Sequence, residues 1–544
     1  MTIKSHLFSL ALLFSMLSGC APGTAPHDGP AEIRNLLFIM GDDHAAYALG
    51  AYGNSLIRTP NLDRLAAQGI RFDGAYVNSP ICTASRQSLI TGRLPHAVGV
   101  TLLSTPLSSE EVTIADHLKR FGFRTGAVGK MHFNGNREML RRVGFDEEVI
   151  SKADNHHGFD YRIDGEDHDR YLAEHPARKP PEDLRYKPLW QPFRVPAREW
   201  LNADMLPGTG YPKPGDLNNQ GLYDEDSLGT FFARRAIDFL RENRNERMCL
   251  WLSFYEPHSP FNFPIEYADK YDPADMPLPA VGLEDERWIP AIFRELAEED
   301  KRGIVASYYA SVEYLDKNVG LVLDALDRLG LVASTLVVYA GDHGYLLGHH
   351  GRFEKHMMWE EAIRAPLIMR NIPRLGEGKS IDALVEFVDV VPTLLELLQV
   401  PPMEGVQGSS LLPLLEGRTD RHRDYVFSEY LHDNKAMVRT EEWKYIFTSG
   451  KEDLAWYVTG KGAPGVTHRL YNLQQDPGET TNLAGEPGHR EVLEKLQQKL
   501  LSRFQETHPL AGELPPDLSI EEALVWFCEP PDPRPPGLAS SNRR

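Results

Sequence analysis

Asp42 and Asp43 stand side by side early in the chain, and Asp342 is followed by His343 much later. Acidic side chains gathered at one point repel one another and ask for a cation, and oxygen ligands favour hard Ca²⁺ or Mg²⁺ over a thiophilic metal. A separate stretch, Cys82-Thr83-Ala84-Ser85-Arg86, places a solitary thiol where a turn of small residues runs into a short helix. With that helix starting near Thr83, Arg86 lies one turn after Cys82 on the same face. An anion held there would meet a guanidinium fork and the first N–H groups of a helix.

Residues so far apart in the chain meet only if the elements before them end at a common edge. Strand-like apolar runs alternate with helical segments from Asn35 onward, the pattern of an α/β fold. The expected strands are Leu36 to Met40, Arg124 to Val128, Met248 to Phe254 and Thr335 to Ala340. The expected helices run from Thr59-Pro60, an N-cap and a first-turn proline, to Gly69, from Thr113 to Phe121 and from Ile304 to Leu329. Ligands in open α/β sheets collect at the carboxyl ends of strands. Four strand exits are polar: Gly41-Asp42-Asp43-His44, Gly129-Lys130-Met131-His132, Glu256-Pro257-His258 and Gly341-Asp342-His343-Gly344. They can converge on one point. Residues 133 to 226 fit the alternation poorly and read as an irregular insertion that walls the site. From about Tyr425 the pattern changes to short strands, Lys435 to Arg439 and Lys444 to Phe447, then a helix from Glu491 to Phe504, which suggests a smaller domain with an antiparallel sheet. The division expected is therefore 32–424 for the main domain, 425–528 for the smaller one and a disordered tail over 529–544.

At 544 residues, 42% hydrophobic and 25% charged, the chain is long enough for a large core and a second domain. Its formal charge of −20 argues against nucleic acid and anionic membranes as partners, so cations for an anionic substrate must be local. Residues 1–20 hold Lys4, an apolar stretch from Leu7 to Leu17 and Leu17-Ser18-Gly19-Cys20. That stretch is too short to span a bilayer and has the layout of an export signal. Leu-Ser-Gly-Cys resembles a bacterial lipobox, which implies acylation of Cys20, a lipid anchor as the sole membrane contact and a tether over 21–31. Cys82, Cys249 and Cys528 remain, an odd number in an exported chain that implies no disulfide framework. Cys249, within an apolar run, reads as core.

Cys82 is then a mismatch, because a soft thiolate suits a hard-metal carboxylate site poorly. Either it lies outside that site, or its side chain is not a thiol when the protein works. The stretch Cys82-Thr83-Ala84-Ser85-Arg86, continued by Gln87 to Leu89 and Thr91-Gly92-Arg93, resembles the signature of the type I sulfatases of the alkaline phosphatase superfamily. The likeness continues, in order, through Thr59 to Leu65, Gly129 to His132, Pro257 to Phe261, Gly341 to Gly344, Lys355, Arg364 to Ile368, Leu470 to Leu473 and Asp476 to Glu479. Ala84 stands where the usual signature has Pro.

The resemblance implies an alkaline phosphatase-like fold: a central mixed, mostly parallel sheet flanked by helices, with a smaller C-terminal α+β domain containing an antiparallel sheet. It implies that a formylglycine-generating maturation enzyme converts Cys82 to formylglycine. The family's metal ligands fall on Asp42, Asp43, Asp342 and His343, with modified Cys82 completing the shell around Ca²⁺ or Mg²⁺. His at 343 marks the branch similar to iduronate and choline sulfatases. Lys130, His132, His258 and Lys355 match the sulfate pocket, and Arg86 the residue that holds formylglycine. Within that scheme the hydrated aldehyde is the nucleophile, His258 aided by Lys355 protonates the leaving oxygen, and His132 helps release sulfate. His44, His350, Tyr345 and the 133–226 insertion are the expected substrate walls. A sulfated small molecule or glycan is the implied substrate, with polysaccharide fragments first for an exported enzyme. The competing expectations are a phosphonate or phosphate diester hydrolase of the same superfamily and a non-catalytic glycan-binding lipoprotein.

Overall fold

A computed structural model of the chain describes residues 33–100, 105–133, 157–178, 222–259, 261, 263–287, 289–294, 296–372, 377–431, 434–449 and 465–529. The expected leader with Cys20, the 21–31 tether, most of the 133–226 insertion and the tail beyond Glu529 lie outside these residues.

The strands are β1 (Asn35–Gly41), β2 (Gly69–Phe72), β3 (Ala75–Tyr76), β4 (Arg124–Gly129), β5 (Tyr161–Ile163), β6 (Met248–Ser253) and β7 (Thr335–Gly341). They are followed by β8 (Leu367–Arg370), β9 (Lys379–Ile381) and β10 (Val385–Glu386), then β11 (Val426–Tyr430), β12 (Lys435–Arg439), β13 (Trp443–Thr448) and β14 (Thr467–Asn472). Eight of them form one sheet in the order β5-β4-β6-β1-β7-β8-β2-β9. From β5 to β7 every pairing is parallel, and β8 alone runs against its neighbours β7 and β2. The strands β1, β6 and β7 are buried along their whole length, as parallel strands covered on both faces must be.

Side chains of β1 alternate between two cores. Leu37 and Ile39 face α1 (Pro60–Ala67), α4 (Leu228–Glu242) and α5 (Glu298–Arg328). On the other side Phe38 and Met40 face α2 (Cys82–Thr91) and α3 (Ile114–Arg120). Phe38 lies beside Trp251 in register on β6, their rings stacked at 3.9 Å. Thr113 caps α3 through a reciprocal pair with Asp116, as the Thr-x-x-Asp spacing favours.

Three expectations change. The first helix stops at Ala67, and Gly69 opens β2, where an added Cβ would sit 2.5 Å from the Met369 carbonyl oxygen. Thr59 spends its hydroxyl on Gly50 N–H and Asp63 rather than on capping the helix. The segment expected to be irregular contributes β5 and a helix at Gly165–Glu174, so it extends the sheet edge next to β4.

The strands β11 to β14 form an antiparallel sheet in chain order. Helices α6 (Arg490–Thr507) and α7 (Ile520–Cys528) cover one face through Leu500, Phe504 and Phe527. Met437, Ile446 and Tyr471 on the other face join the core beneath α2 and α3. The two sheets thus share apolar packing. Cys249 and Cys528 are both buried in these cores, and no described cysteine is in a disulfide.

Candidate active site

Adjacent parallel strands β4, β6, β1 and β7 end at one edge, and their exits bring Lys130, His258, Asp42, Asp43, Asp342 and His343 together. Ligand atoms of Asp42, Asp43, Asp342 and His343 lie within 4.8 Å of one another, as do those of Asp42, Cys82 and His343. Backbone links hold the exits in place: Asp342 N–H donates to Gly41 O at 3.0 Å, and Asp42 N–H to Glu256 O at 3.1 Å. Asp43 has a left-handed φ of 63°, and its N–H donates to Asp342 Oδ1 at 2.9 Å.

Cys82 opens α2, one residue earlier than expected, with every residue of the helix buried. Gly92 ends it at φ 65°, the left-handed position that glycine adopts without strain. Lys355 Nζ donates to Asp43 Oδ1 at 2.6 Å and lies 3.9 Å from Cys82 Sγ. Lys130 Nζ donates to Asp42 Oδ2. His132 Nε2 is 3.3 Å from Thr83 Oγ1, and its Nδ1 is buried without a partner. The ring of His258 is half-buried, and its Nδ1 is 2.5 Å from Ser259 O.

The guanidinium of Arg86 faces inward rather than standing open as an anion fork. Its Nε donates to Asp342 Oδ2 at 2.8 Å, and Nη1 donates to Lys130 O and Ser253 Oγ at 2.6 Å each. Its Nη2 is 3.5 Å from Asp42 Oδ1. Arg86 therefore ties two carboxylates and two strand exits to the start of α2. Ser253, which completes these anchors, and Tyr308, whose hydroxyl donates to Asp43 O and accepts from Ala45 N–H, carried no signal in the sequence, since a serine at a strand end or a tyrosine in a long helix is commonplace.

Charge in this cluster is finely divided. Burial and the neighbouring Asp42 charge push Asp342 up to about 6, against the pull of Arg86 and His343. Burial acts the same way on Asp42, but Lys130, His258 and Arg86 outweigh it and hold that carboxyl well below the usual range. Burial also opposes the Cys82 thiolate, yet Lys130, Lys355 and His132 bring the thiol well below its ordinary value. Burial first, then Lys355, lowers His258 to about 4.

Two expected wall residues belong to the protein's interior instead. His44 is fully buried, with Nδ1 2.5 Å from Tyr339 Oη and Nε2 3.2 Å from Ala48 O. His350 is stacked on Trp359 at 3.9 Å, with Nδ1 3.0 Å from Asp285 Oδ1. Both ring nitrogens of His44 and the Nδ1 of His350 thus face partners within the protein. Tyr345, likewise buried, donates to Phe353 O.

The atoms left over point to a bound cation. Among the described residues Asp42 Oδ1, Asp43 Oδ2 and His343 Nε2 are buried without a hydrogen bond, Asp42 Oδ1 keeping only the 3.5 Å approach of Arg86 Nη2, an arrangement costly to leave unfilled. Three carboxylates and an imidazole suit a hard divalent ion. The acceptors and the charge both fit it.

Residues 34–400 match the family model described as Sulfatase, and 348–506 match N-sulphoglucosamine sulphohydrolase, C-terminal. An N-acetylglucosamine-6-O-sulfatase of Bacteroides thetaiotaomicron is 27% identical, covering 96% of this chain and 94% of its own. An arylsulfatase of Clostridium perfringens is 28% identical over 87% of this chain and 94% of its own. Among solved structures, a phosphonate monoester hydrolase from Silicibacter pomeroyi superposes with TM-score 0.69 at 23% identity, covering 88% of this chain and 97% of that one. A structure in complex with its substrate D-glucosamine-2-N,6-O-disulfate superposes at 0.63 and 21% identity, covering 88% and 98%. The fold is therefore that of the alkaline phosphatase-like sulfatases, and the chain, with its buried acidic cluster at the edge of a mostly parallel sheet, belongs to the sulfatase family of sulfuric ester hydrolases.

Proposed function

We propose that this enzyme cleaves sulfate esters of sulfated carbohydrates, using formylglycine made from Cys82 and a divalent cation held by Asp42, Asp43, Asp342 and His343. The observation that carries the reading is the set of atoms without a hydrogen bond, Asp42 Oδ1, Asp43 Oδ2 and His343 Nε2, gathered within reach of Cys82 and flanked by Lys130 and Lys355. Calcium suits the site through its tolerance of irregular oxygen-rich shells. When bound, the cation supplies positive potential for the sulfuryl oxygens, and an aldehyde hydrate at 82 supplies an oxygen nucleophile whose second hydroxyl gives sulfate a way out. A thiol or serine offers no such exit.

The remaining work falls to this chain's own side chains. Lys130 and Lys355, already fixed on Asp42 and Asp43, present fixed cations to the sulfate group without reorganising. Arg86 keeps Asp342 and the Lys130 exit in register with α2. His258 is the proton donor to the leaving oxygen; a sulfate anion beside it raises its affinity for that proton from the low value set by burial and Lys355. His132, with an open Nδ1 and its Nε2 beside Thr83, is the proton acceptor at position 82.

The carbohydrate substrate class is supported by the extent of likeness to the N-acetylglucosamine-6-O-sulfatase. Export and a lipid anchor at Cys20 are part of the same proposal, resting on Leu17-Ser18-Gly19-Cys20, and they place the enzyme where polysaccharide fragments are met. Likeness in fold to a phosphonate monoester hydrolase makes phosphonate and phosphate esters the competing substrates. Turnover of defined sulfated glucosamines, choline sulfate and an aryl phosphonate by one preparation separates them. Fastest cleavage of a sulfated sugar is expected, and a phosphonate preferred by kcat/KM would overturn the reading.

A further inference from the structure

We infer that the Tyr308 hydroxyl is a positioning group for Asp43 and thereby sets how tightly the site holds a divalent cation. This rests on the metal reading above. Asp43 occupies φ 63°, a left-handed region uncommon for residues with a side chain although aspartate enters it more readily than most. Tyr308, on α5 and fully buried, spans the turn: its hydroxyl donates to Asp43 O at 2.5 Å and accepts from Ala45 N–H at 3.0 Å. One oxygen thus clamps the peptide groups on both sides of the turn that aims the Asp43 carboxylate. That carboxylate is oriented at one oxygen by Lys355, while the other has no donor.

The ring that carries the hydroxyl is itself held. Phe261 meets it edge-on at 5.5 Å, and Tyr345 stacks on it at 5.7 Å. Phe261 follows His258 and Tyr345 follows His343, so one aromatic cluster touches the exits of β1, β6 and β7. Groups that orient a metal ligand from behind typically matter by about 10- to 100-fold in metal affinity.

The test is Ca²⁺ titration, by calorimetry, of metal-stripped full-length wild type and Tyr308→Phe. The variant is expected to bind about 10- to 100-fold more weakly. Its activity should need correspondingly more Ca²⁺ for half-saturation, with kcat recovering at saturating Ca²⁺. Tyr309→Phe, which removes a hydroxyl bonded to Asn54 at 2.8 Å, is expected to bind as wild type. A folded Tyr308→Phe with wild-type affinity would overturn the inference. Wild type that binds neither Ca²⁺ nor Mg²⁺ would instead overturn the metal reading. Should Tyr308→Phe not fold, a ring-fluorinated tyrosine at 308, a stronger donor to Asp43 O and a weaker acceptor from Ala45 N–H, is expected to shift Ca²⁺ affinity measurably; affinity unchanged there would overturn the inference.

Discussion

Two buried groups of carboxylates and cations can be set side by side. One is the strand-exit cluster of Asp42, Asp43, Asp342, Arg86, Lys130 and Lys355; the other, Glu386, Asp389, Arg423 and Arg503, lies where α6 and β11 meet β10 and the turn that follows it. In the second, every carboxylate oxygen is taken. Asp389 accepts from Glu386 N–H at 2.9 Å, Ser409 N–H at 2.8 Å and both arms of Arg423, while Glu386 accepts from Phe427 N–H at 2.9 Å and Arg503 Nη2 at 2.7 Å. Burial raises the Asp389 carboxyl, but Arg423 and His422 more than offset this and hold it far below the usual range. In the first, acceptors are left bare around one point. Similar chemistry closes a seam in one place and leaves acceptors without a hydrogen bond in the other, and satisfied valence tells them apart.

The comparison can be broken most sharply at residue 82. Cys82→Ala is expected to fold and to lose about 10⁴-fold or more in kcat, as loss of a catalytic nucleophile does; near-wild-type turnover would remove the site from the chemistry. Paired carboxylate variants come next. Asp43→Asn should lower activity and Ca²⁺ affinity by at least the roughly 100-fold that loss of a supporting group can cost, since it neutralises a carboxylate of the proposed ligand set. Asp389→Asn should cost about 3 kcal/mol in unfolding free energy and leave kcat of the folded enzyme unchanged, because it breaks a buried pair that touches no substrate. Equal effects of the two on kcat would erase the distinction.

The smallest expected effect concerns His350. Burial disfavours its charged ring, but Asp285 and Glu361 prevail and raise it to about 9. A histidine in the unfolded chain titrates near 6.5, so the contribution is complete below about pH 6.5 and is lost as pH rises through about 9. Asp285→Asn should therefore lower stability by about 1 to 3 kcal/mol at pH 6 and by less at pH 9.5 in thermal melts. A loss independent of pH would show that the pair does not carry a charge.

Much of this was legible in the sequence because long buried strands announce themselves. Apolar runs marked β1, β4, β6 and β7 to within a residue or two, and the polar residues after them converge as expected. Short strands were not legible: β2 and β9 are four and three residues long, and it is pairing with β8 on one side and β9 on the other that makes β2 a strand. Side-chain direction was hidden too. His44 and His350 have the composition of substrate contacts, yet Tyr339, Ala48 and Asp285 claim their nitrogens. Arg86 lies on the expected face of α2, but its partners come from β6, β7 and the Lys130 exit, which spacing along one helix does not reveal.

The most direct test of the site is the mass of the peptide carrying residue 82, taken from enzyme that hydrolyses a sulfate ester. An aldehyde or its hydrate is expected there, with a mass differing from the thiol by the change of side chain and with reactivity toward carbonyl reagents. An unmodified thiol throughout a fully active preparation would contradict the mechanism.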